Sequence, residues 1–219
     1  MIRKPEGGSM KKEYLAEFIG TFALIFIGAG AGALGVGGLV GVAFAHGLTV
    51  MAFAYAYGHI SGTHINPAVT FGLALSGAID WAKAVGYWVA QMLGGALGAA
   101  ALYFVLGGTT GNLGATVLAE GVSPLQGMVL EAILTFFLVN SVLHMAVDGK
   151  AGNFAGLGIG LTLTLAILMG GPLTGASLNP ARTFGPALFT GTLGQFPIYL
   201  VGTFLGAALA SGVYRLLKS

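Results

Sequence analysis

Long apolar stretches, separated by short polar or glycine-rich breaks, run along almost the whole chain. A helix needs about 20 mainly apolar residues to cross the roughly 30 Å hydrocarbon core of a bilayer. Six stretches have about this length, at residues 13 to 34, 39 to 57, 82 to 105, 126 to 147, 154 to 171 and 195 to 217. The pattern predicts an all-α membrane protein with six transmembrane helices. We expect one transmembrane domain over residues 11–219 behind a flexible tail over residues 1–10.

The composition excludes most other classes of protein. Hydrophobic residues make up 56% of the chain, charged residues only 7%, and the mean hydropathy is +0.88. A soluble domain would carry about a quarter charged residues. The chain has no cysteine, which excludes disulfides, thiolate metal sites and cysteine catalysis. Because no nucleophile and base pair or metal cluster is evident either, we expect no enzyme activity, no bound metal or cofactor and no nucleic-acid partner.

The few basic residues predict the orientation in the membrane. With six spans, one side of the membrane receives Arg3, Lys4, Lys11, Lys12, Lys83, Lys150, Arg215 and Lys218. The opposite connections contain a single basic residue, Arg182. The positive-inside rule therefore predicts cytoplasmic termini. We expect the protein in the plasma or inner membrane of the cell. Arg182 is the exception that needs a functional explanation.

Two copies of one unit are visible in the sequence. Asn66-Pro67-Ala68 and Asn179-Pro180-Ala181 lie about 113 residues apart, and Glu17 and Glu131 precede them by 49 and 48 residues. The repeats cover about 11–106 and 124–219. Each repeat has three spans, so the second must cross the membrane in the opposite direction, which makes the repeats inverted.

Each Asn-Pro-Ala motif predicts the start of a short helix. Asn is a preferred N-cap and Pro is favoured at the first helical position. The helices would cover Asn66 to Ser76 and Asn179 to Phe189, which at 1.5 Å per residue is about 16 Å, half of the hydrocarbon core. We therefore expect two re-entrant half-helices that meet N-terminus to N-terminus near the midplane.

The loops before the half-helices cannot be helical throughout. Irregular backbone at this depth is tolerated only where it is buried in protein or lines a water-filled cavity. The carbonyl groups expected to line such a cavity are those of Gly62, Thr63, His64, Ile65, Gly175, Ala176, Ser177 and Leu178. Glu17 and Glu131 lie on the sides from which their own loops enter, and each carboxylate is expected to brace its loop by accepting backbone N–H bonds.

The midplane should repel cations. Each half-helix start carries about half an elementary positive charge, and Asn66 and Asn179 are placed to donate N–H bonds to a passing water oxygen. A water held by both asparagines points its hydrogens away from the centre, which interrupts a proton-conducting chain. Arg182 adds a fixed positive charge on the outer side.

Three runs of residues resemble the aquaporins, the major intrinsic protein family, over about Lys11 to Ser219. They are Ala16-Glu17-Phe18-Ile19-Gly20-Thr21-Phe22, the run from Gly58 through His64-Ile65-Asn66-Pro67-Ala68 to Thr70, and Ser177-Leu178-Asn179-Pro180-Ala181-Arg182-Thr183-Phe184-Gly185-Pro186. The resemblance implies six tilted helices around a pore in each protomer and usually four protomers in an assembly. It also implies passive conduction of water or small neutral solutes.

The resemblance also implies the residues of the pore constriction. At the family's offsets from the two asparagines these are His46, Ile167, Ala176 and Arg182. This set resembles the filter of plant vacuolar-membrane aquaporins, while Thr183 and Ala187 resemble the water channels. We expect a pore that passes water and ammonia, with glycerol slow. A facilitator of glycerol or small polyols is the alternative, followed by a secondary transporter, which also uses inverted repeats and broken helices.

Other polar and small residues have structural interpretations. His59 and His64 are expected to stabilise the first loop, with His64 also lining the inner vestibule, and His144 is expected near the membrane interface. Glycine pairs at four-residue spacing are expected to allow close helix packing. These pairs are Gly28 and Gly32, Gly94 and Gly98, and Gly202 and Gly206.

Overall fold

The computed structural model describes residues 10–218. Six helices are long and apolar enough to cross a membrane: α1 (Met10–Ala33), α2 (Gly38–Ser61), α4 (Trp81–Val105), α5 (Pro124–Val147), α6 (Gly152–Thr174) and α8 (Thr192–Lys218). All six predicted spans are therefore confirmed. The tail predicted for residues 1–10 lies outside the described residues, except Met10, which begins α1.

Two short α-helices follow the re-entrant loops within residues 10–218: α3 (Pro67–Ser76) and α7 (Pro180–Thr190). Asn66 and Asn179 are their N-caps, each with extended backbone and a side-chain oxygen that accepts two backbone N–H bonds of the first turn. Proline follows at the first helical position of each. The local chemistry of Asn-Pro therefore places both helix starts where the sequence predicts them.

Helices α2 and α6 run further than the apolar pattern indicates. The predicted spans stop at residues 57 and 171, but the helices continue to Ser61 and Thr174. Gly62 and Gly175, with φ of 86° and 75°, end them in the left-handed conformation that glycine adopts without a steric penalty. Each re-entrant loop therefore starts at a glycine that stops a transmembrane helix.

Glycines bring the first and last helices of each repeat into backbone contact. A Cβ added to Gly94 on α4 would lie 2.3 Å from the Phe18 carbonyl oxygen on α1, and one on Gly206 of α8 would lie 2.2 Å from the Ala132 carbonyl oxygen on α5. No larger side chain fits at either place. The two contacts are equivalent in the two repeats, as expected for inverted halves built from one unit.

A polar cluster joins the C-terminal ends of α5 and α8. It lies on the side of the protein where α1 begins at Met10 and α8 ends at Lys218, called here the terminal side. The carboxylate of Asp148 accepts hydrogen bonds from the Tyr214 hydroxyl at 2.5 Å and the Lys218 ammonium at 3.1 Å. These two donors hold the pKa of Asp148 below its usual value. His144 Nδ1 lies 3.8 Å from the same carboxylate, so His144 lies in this cluster near the end of α5.

Candidate pore

The two re-entrant loops repeat one unusual backbone conformation. In the first loop φ is positive at Gly62 (86°), Thr63 (51°) and Ile65 (43°). In the second loop φ is positive at Gly175 (75°), Ala176 (43°) and Leu178 (52°). The four non-glycine residues are strained, at a cost of about 1–3 kcal/mol each. Such strain persists only where the surrounding structure holds the backbone in place, so each loop needs partners that fix it.

Glu17 on α1 holds the first loop. One carboxylate oxygen accepts from the Ser61 hydroxyl at 2.7 Å and the His64 N–H at 2.9 Å. The other accepts from the Ile65 N–H at 2.6 Å and the Gln91 amide at 2.8 Å. The side chain is fully buried. Glu17 therefore satisfies two loop N–H groups, one of them on the strained Ile65, and connects them to α2 and α4.

Glu131 on α5 holds the second loop in the same way. Its carboxylate accepts from the Thr174 hydroxyl at 2.7 Å, the Ser177 N–H at 2.9 Å and the Leu178 N–H at 2.8 Å. It is also fully buried. The set differs from that of Glu17 by lacking a glutamine, so Glu131 accepts three hydrogen bonds where Glu17 accepts four.

Two buried tyrosines hold the last residues of α2 and α6, where the two re-entrant loops begin. Our sequence-based prediction did not identify this role. The Tyr87 hydroxyl donates to the Ser61 carbonyl at 2.7 Å, and the Tyr199 hydroxyl donates to the Thr174 carbonyl at 2.7 Å. Both tyrosines are fully buried. The signal was present in the sequence, since Tyr87 and Tyr199 are 112 residues apart, nearly the repeat offset.

The asparagines of the two motifs cross-link the loops where the half-helices meet. The Asn66 amide donates to the Leu178 carbonyl at 2.8 Å, and the Asn179 amide donates to the Ile65 carbonyl at 2.9 Å. A carboxamide has two N–H groups, so each asparagine keeps one for another acceptor. The predicted donation to a passing water oxygen is therefore left to one N–H of each asparagine, because the other N–H fixes one loop to the other.

A cavity of about 570 Å³ runs past both asparagines. On the terminal side it is lined by Tyr55, His59 and Asn153, and deeper in the molecule by Asn66, Asn179, His46 and Arg182. Its wall includes the loop residues Gly62, Thr63, His64, Ile65 and Ser177. Apolar side chains of α1, α2, α5 and α6, among them Leu24, Val50, Leu138 and Leu163, cover the rest. The cavity is a mainly apolar channel with polar groups at its midpoint and its far end.

His46 and Arg182 face the far end of this cavity with unused hydrogen-bonding groups. The His46 Nδ1 lies 2.9 Å from the Val42 carbonyl oxygen. A carbonyl only accepts, so Nδ1 carries the proton and Nε2 of the neutral ring is an acceptor. Among the described residues, His46 Nε2 and the Nε and Nη1 of Arg182 have no partner although they are buried. One acceptor nitrogen and two donor nitrogens of residues that line the cavity therefore have no protein partner.

Ile167 and Ala176, the other two predicted constriction residues, are nearly fully buried, with exposed fractions of 2% and 1%. They belong to the apolar core, and the lining of the 570 Å³ cavity does not extend to them among the described residues. The cavity thus brings together His46 and Arg182 but not the full set of four.

His64 stabilises the first loop through its ring as well as its backbone. Its Nδ1 lies 3.0 Å from the Thr70 hydroxyl, which also accepts from the Gln91 amide at 2.9 Å. The ring packs edge-on against Tyr87, with 5.0 Å between the ring centroids. His64 also borders the cavity. His59 lies at the terminal-side mouth, and the described part of the chain contains no cluster of three metal-binding side chains.

Thr183 connects the second half-helix to the connection between α4 and α5. Its hydroxyl lies 2.6 Å from that of Ser177 and 2.8 Å from that of Thr116. All three side chains are buried. Thr116 was not among the residues that the sequence indicated, because nothing in its local pattern shows that its loop reaches the half-helix.

Six apolar helices of membrane-spanning length, two short helices joined through their N-cap asparagines and a cavity past the joint are the features of a multi-pass membrane channel. Comparison with known proteins agrees, since the family model described as major intrinsic protein matches residues 5–214. The chain belongs to this family, the aquaporins. It is 41% identical to Aquaporin NIP1-1 of Zea mays over 94% of this chain and 75% of that one. It is 42% identical to Aquaporin TIP2-1 of Zea mays over 93% and 86%.

A solved structure with the same fold is the aquaglyceroporin from Plasmodium falciparum. The TM-score is 0.82, the sequence identity is 27%, and the match covers 94% of this chain and 96% of that one. The chain is therefore a channel protein of the aquaporin fold and not an enzyme.

Proposed function

We propose that this protein conducts water and ammonia and excludes protons and other ions. The observation that carries the proposal is the pairing of an acceptor, His46 Nε2, with the free donors of Arg182 at the end of a cavity past both Asn-Pro-Ala asparagines. Water and ammonia each donate and accept hydrogen bonds, so either can satisfy both sides of the constriction.

Exclusion of cations follows from the midplane. The N-terminal ends of α3 and α7 meet there, and each end contributes about half a positive charge. Arg182 adds a whole charge on the same path. The remaining N–H of Asn66 and of Asn179 orients a water molecule with its oxygen toward the centre, so that neighbouring waters cannot pass a proton along the file. Ammonium is repelled and only neutral ammonia crosses.

The membrane orientation and the assembly belong to the proposal too. The terminal side carries Lys11, Lys12, Lys83, Lys150, Arg215 and Lys218, and we assign it to the cytoplasm. Large apolar side chains on the outer faces of the helices, such as Leu93, Leu97 and Val201, are about half exposed. These faces suit lipid and neighbouring protomers, and we propose a homotetramer with one pore in each protomer.

Glycerol conduction is the second candidate, because the solved relative is an aquaglyceroporin. A polyol presents several hydroxyls along one edge and an apolar backbone on the other. The constriction here combines one histidine acceptor with the arginine donors, which suits a solute with a single polar atom better. We therefore place glycerol well below water and ammonia.

The ammonia prediction is tested in proteoliposomes that contain a pH-sensitive dye and receive an inward ammonium gradient. We expect internal alkalinisation several times faster than in empty liposomes, with rapid water flow and slow glycerol flow in the same batch. His46→Phe removes the acceptor and fills the space, so ammonia flux and water flow should both fall relative to the parent channel.

Alkalinisation no faster than in empty liposomes, alongside normal water flow, would contradict the ammonia proposal and indicate a strict water channel. Glycerol flow as fast as water flow would favour the facilitator. Accumulation of a solute against its gradient would indicate a secondary transporter, because a channel only equilibrates its solutes.

A further inference from the structure

Gly28 on α1 lies against the imidazole ring of His46. A Cβ built on Gly28 would be 2.6 Å from His46 Cδ2 and 2.8 Å from both Cγ and Nε2. Carbon atoms in ordinary contact are about 3.5–4.0 Å apart. The ring therefore occupies the space that any other residue at position 28 would need for its side chain.

The four-residue spacing of Gly28 and Gly32 suggested one packing seam, but the two glycines have different neighbours. A Cβ on Gly32 would lie 3.6 Å from the Gly114 Cα and 3.8 Å from Val42 Cγ1, which are ordinary contacts. Of these two glycines, only Gly28 lies against a residue of the proposed filter, His46. Both residues are helical, so alanine at either position is compatible with the backbone.

The backbone of α2 cannot move away to make room for a larger residue at 28. On the other side of α2, a Cβ added to Gly47 would lie 1.9 Å from the Thr164 hydroxyl and 2.5 Å from the Gly160 carbonyl oxygen of α6. Helix α2 is thus held between α1 and α6 at the level of His46. A displacement would have to be taken up by the His46 ring itself.

The open space next to the ring is the cavity. His46 lines it together with Arg182, and His46 as a whole residue is 3% exposed. A ring displaced by about 1 Å from Gly28 moves toward the solute path, and its bond from Nδ1 to the Val42 carbonyl lengthens. The displaced ring narrows the constriction, and the weakened Nδ1 bond lets the Nε2 acceptor change its direction.

We propose that Gly28 controls the permeability of the channel, because it sets how far the His46 ring stands back from the solute path. Gly28 acts through His46 and touches no solute, so it is a positioning residue. The inference rests on the proposed role of His46 in the filter.

The test compares Gly28→Ala with Gly32→Ala, a matched change one turn along the same helix. Gly28→Ala is expected to lower water and ammonia flux per assembled protein about tenfold, which is about 1.4 kcal/mol of added barrier. Gly32→Ala should stay within about twofold of the parent. The same pair is then measured in a His46→Ala background, where Gly28→Ala should change neither flux because there is no ring to displace.

Three outcomes separate the possibilities. Equal fluxes for Gly28→Ala and the parent, while His46→Ala alters selectivity, would overturn this inference and leave the filter intact. No change of selectivity on His46→Ala would remove the proposed filter itself. If Gly28→Ala alone does not fold, restored yield in the double variant with His46→Ala supports the contact, and unrestored yield contradicts it.

Discussion

Glu17→Ala is expected to abolish the folded channel. The change removes the acceptor of four hydrogen bonds. The backbone N–H groups of His64 and Ile65 then lie buried without a partner, at about 1–3 kcal/mol each. Because Ile65 is also held in the strained left-handed region, the first loop should lose its conformation. We expect little monodisperse protein in detergent and no water flow above background.

Glutamine variants show whether the loss of stability depends on the number of hydrogen bonds that each carboxylate accepts. In Glu17→Gln the new NH₂ group faces two hydrogen-bond donors whichever carboxylate oxygen it replaces. In Glu131→Gln the amide oxygen can keep the bonds from Thr174 and Ser177, so the NH₂ group faces only the Leu178 N–H. We expect a larger fall in the unfolding temperature for Glu17→Gln than for Glu131→Gln. Glu13→Gln, one turn earlier on α1, is the control, since Glu13 accepts one bond, from Lys83 at 2.8 Å. A Glu17 variant as stable as the Glu13 variant would show that the carboxylate does not brace the loop.

Arg182→Val is expected to leave water flow largely intact and to open the pore to cations. The change removes a buried unit charge and the free Nε and Nη1 donors from the end of the cavity. At an effective dielectric constant of about 20, a unit charge 5 Å away raises the energy of a cation by about 3 kcal/mol. Its loss should therefore increase cation or proton leak by more than about 100-fold. Dye-loaded proteoliposomes under an imposed pH or sodium gradient report the leak, and light scattering reports water flow.

Arg182→Lys separates charge from geometry in the same assay. It keeps the positive charge but replaces the planar guanidinium fork with a single ammonium group. We expect cations to remain excluded while selectivity among neutral solutes relaxes. An Arg182→Val channel as selective as the parent would mean that Arg182 does not belong to the filter and that the helix ends at the midplane carry the exclusion alone.

The fold was largely predictable because each of its determinants is local. Apolar stretches of membrane-spanning length gave all six long helices, and Asn-Pro gave the starts of both half-helices. The ends of α2 and α6 were missed because the predicted spans stop before Gly58-His59 and before Pro172, whereas the helices stop only at the left-handed Gly62 and Gly175. Comparing the two halves at the repeat offset would have aligned these glycines.

The candidate pore was predictable only in part, because several of its contacts join residues far apart in the chain. Glu17 and Glu131 stand out as carboxylates within apolar helices, and their spacing to the motifs links them to the loops. The bonds between each asparagine and the opposite loop depend on how two half-helices meet, and no local pattern encodes them. The same holds for Gly28 and His46, which lie on different helices and reveal their contact only in three dimensions.

The most direct test of the proposed function is the simultaneous measurement of water and proton movement in one preparation. Purified protein is reconstituted into liposomes that carry a pH-sensitive dye, and an osmotic step and a pH step are applied in separate mixing experiments. We expect water efflux many times faster than in empty liposomes, together with a proton leak equal to that of empty liposomes. Water efflux no faster than in empty liposomes, or fast efflux accompanied by proton leak, would contradict a water-conducting pore with a midplane that excludes protons.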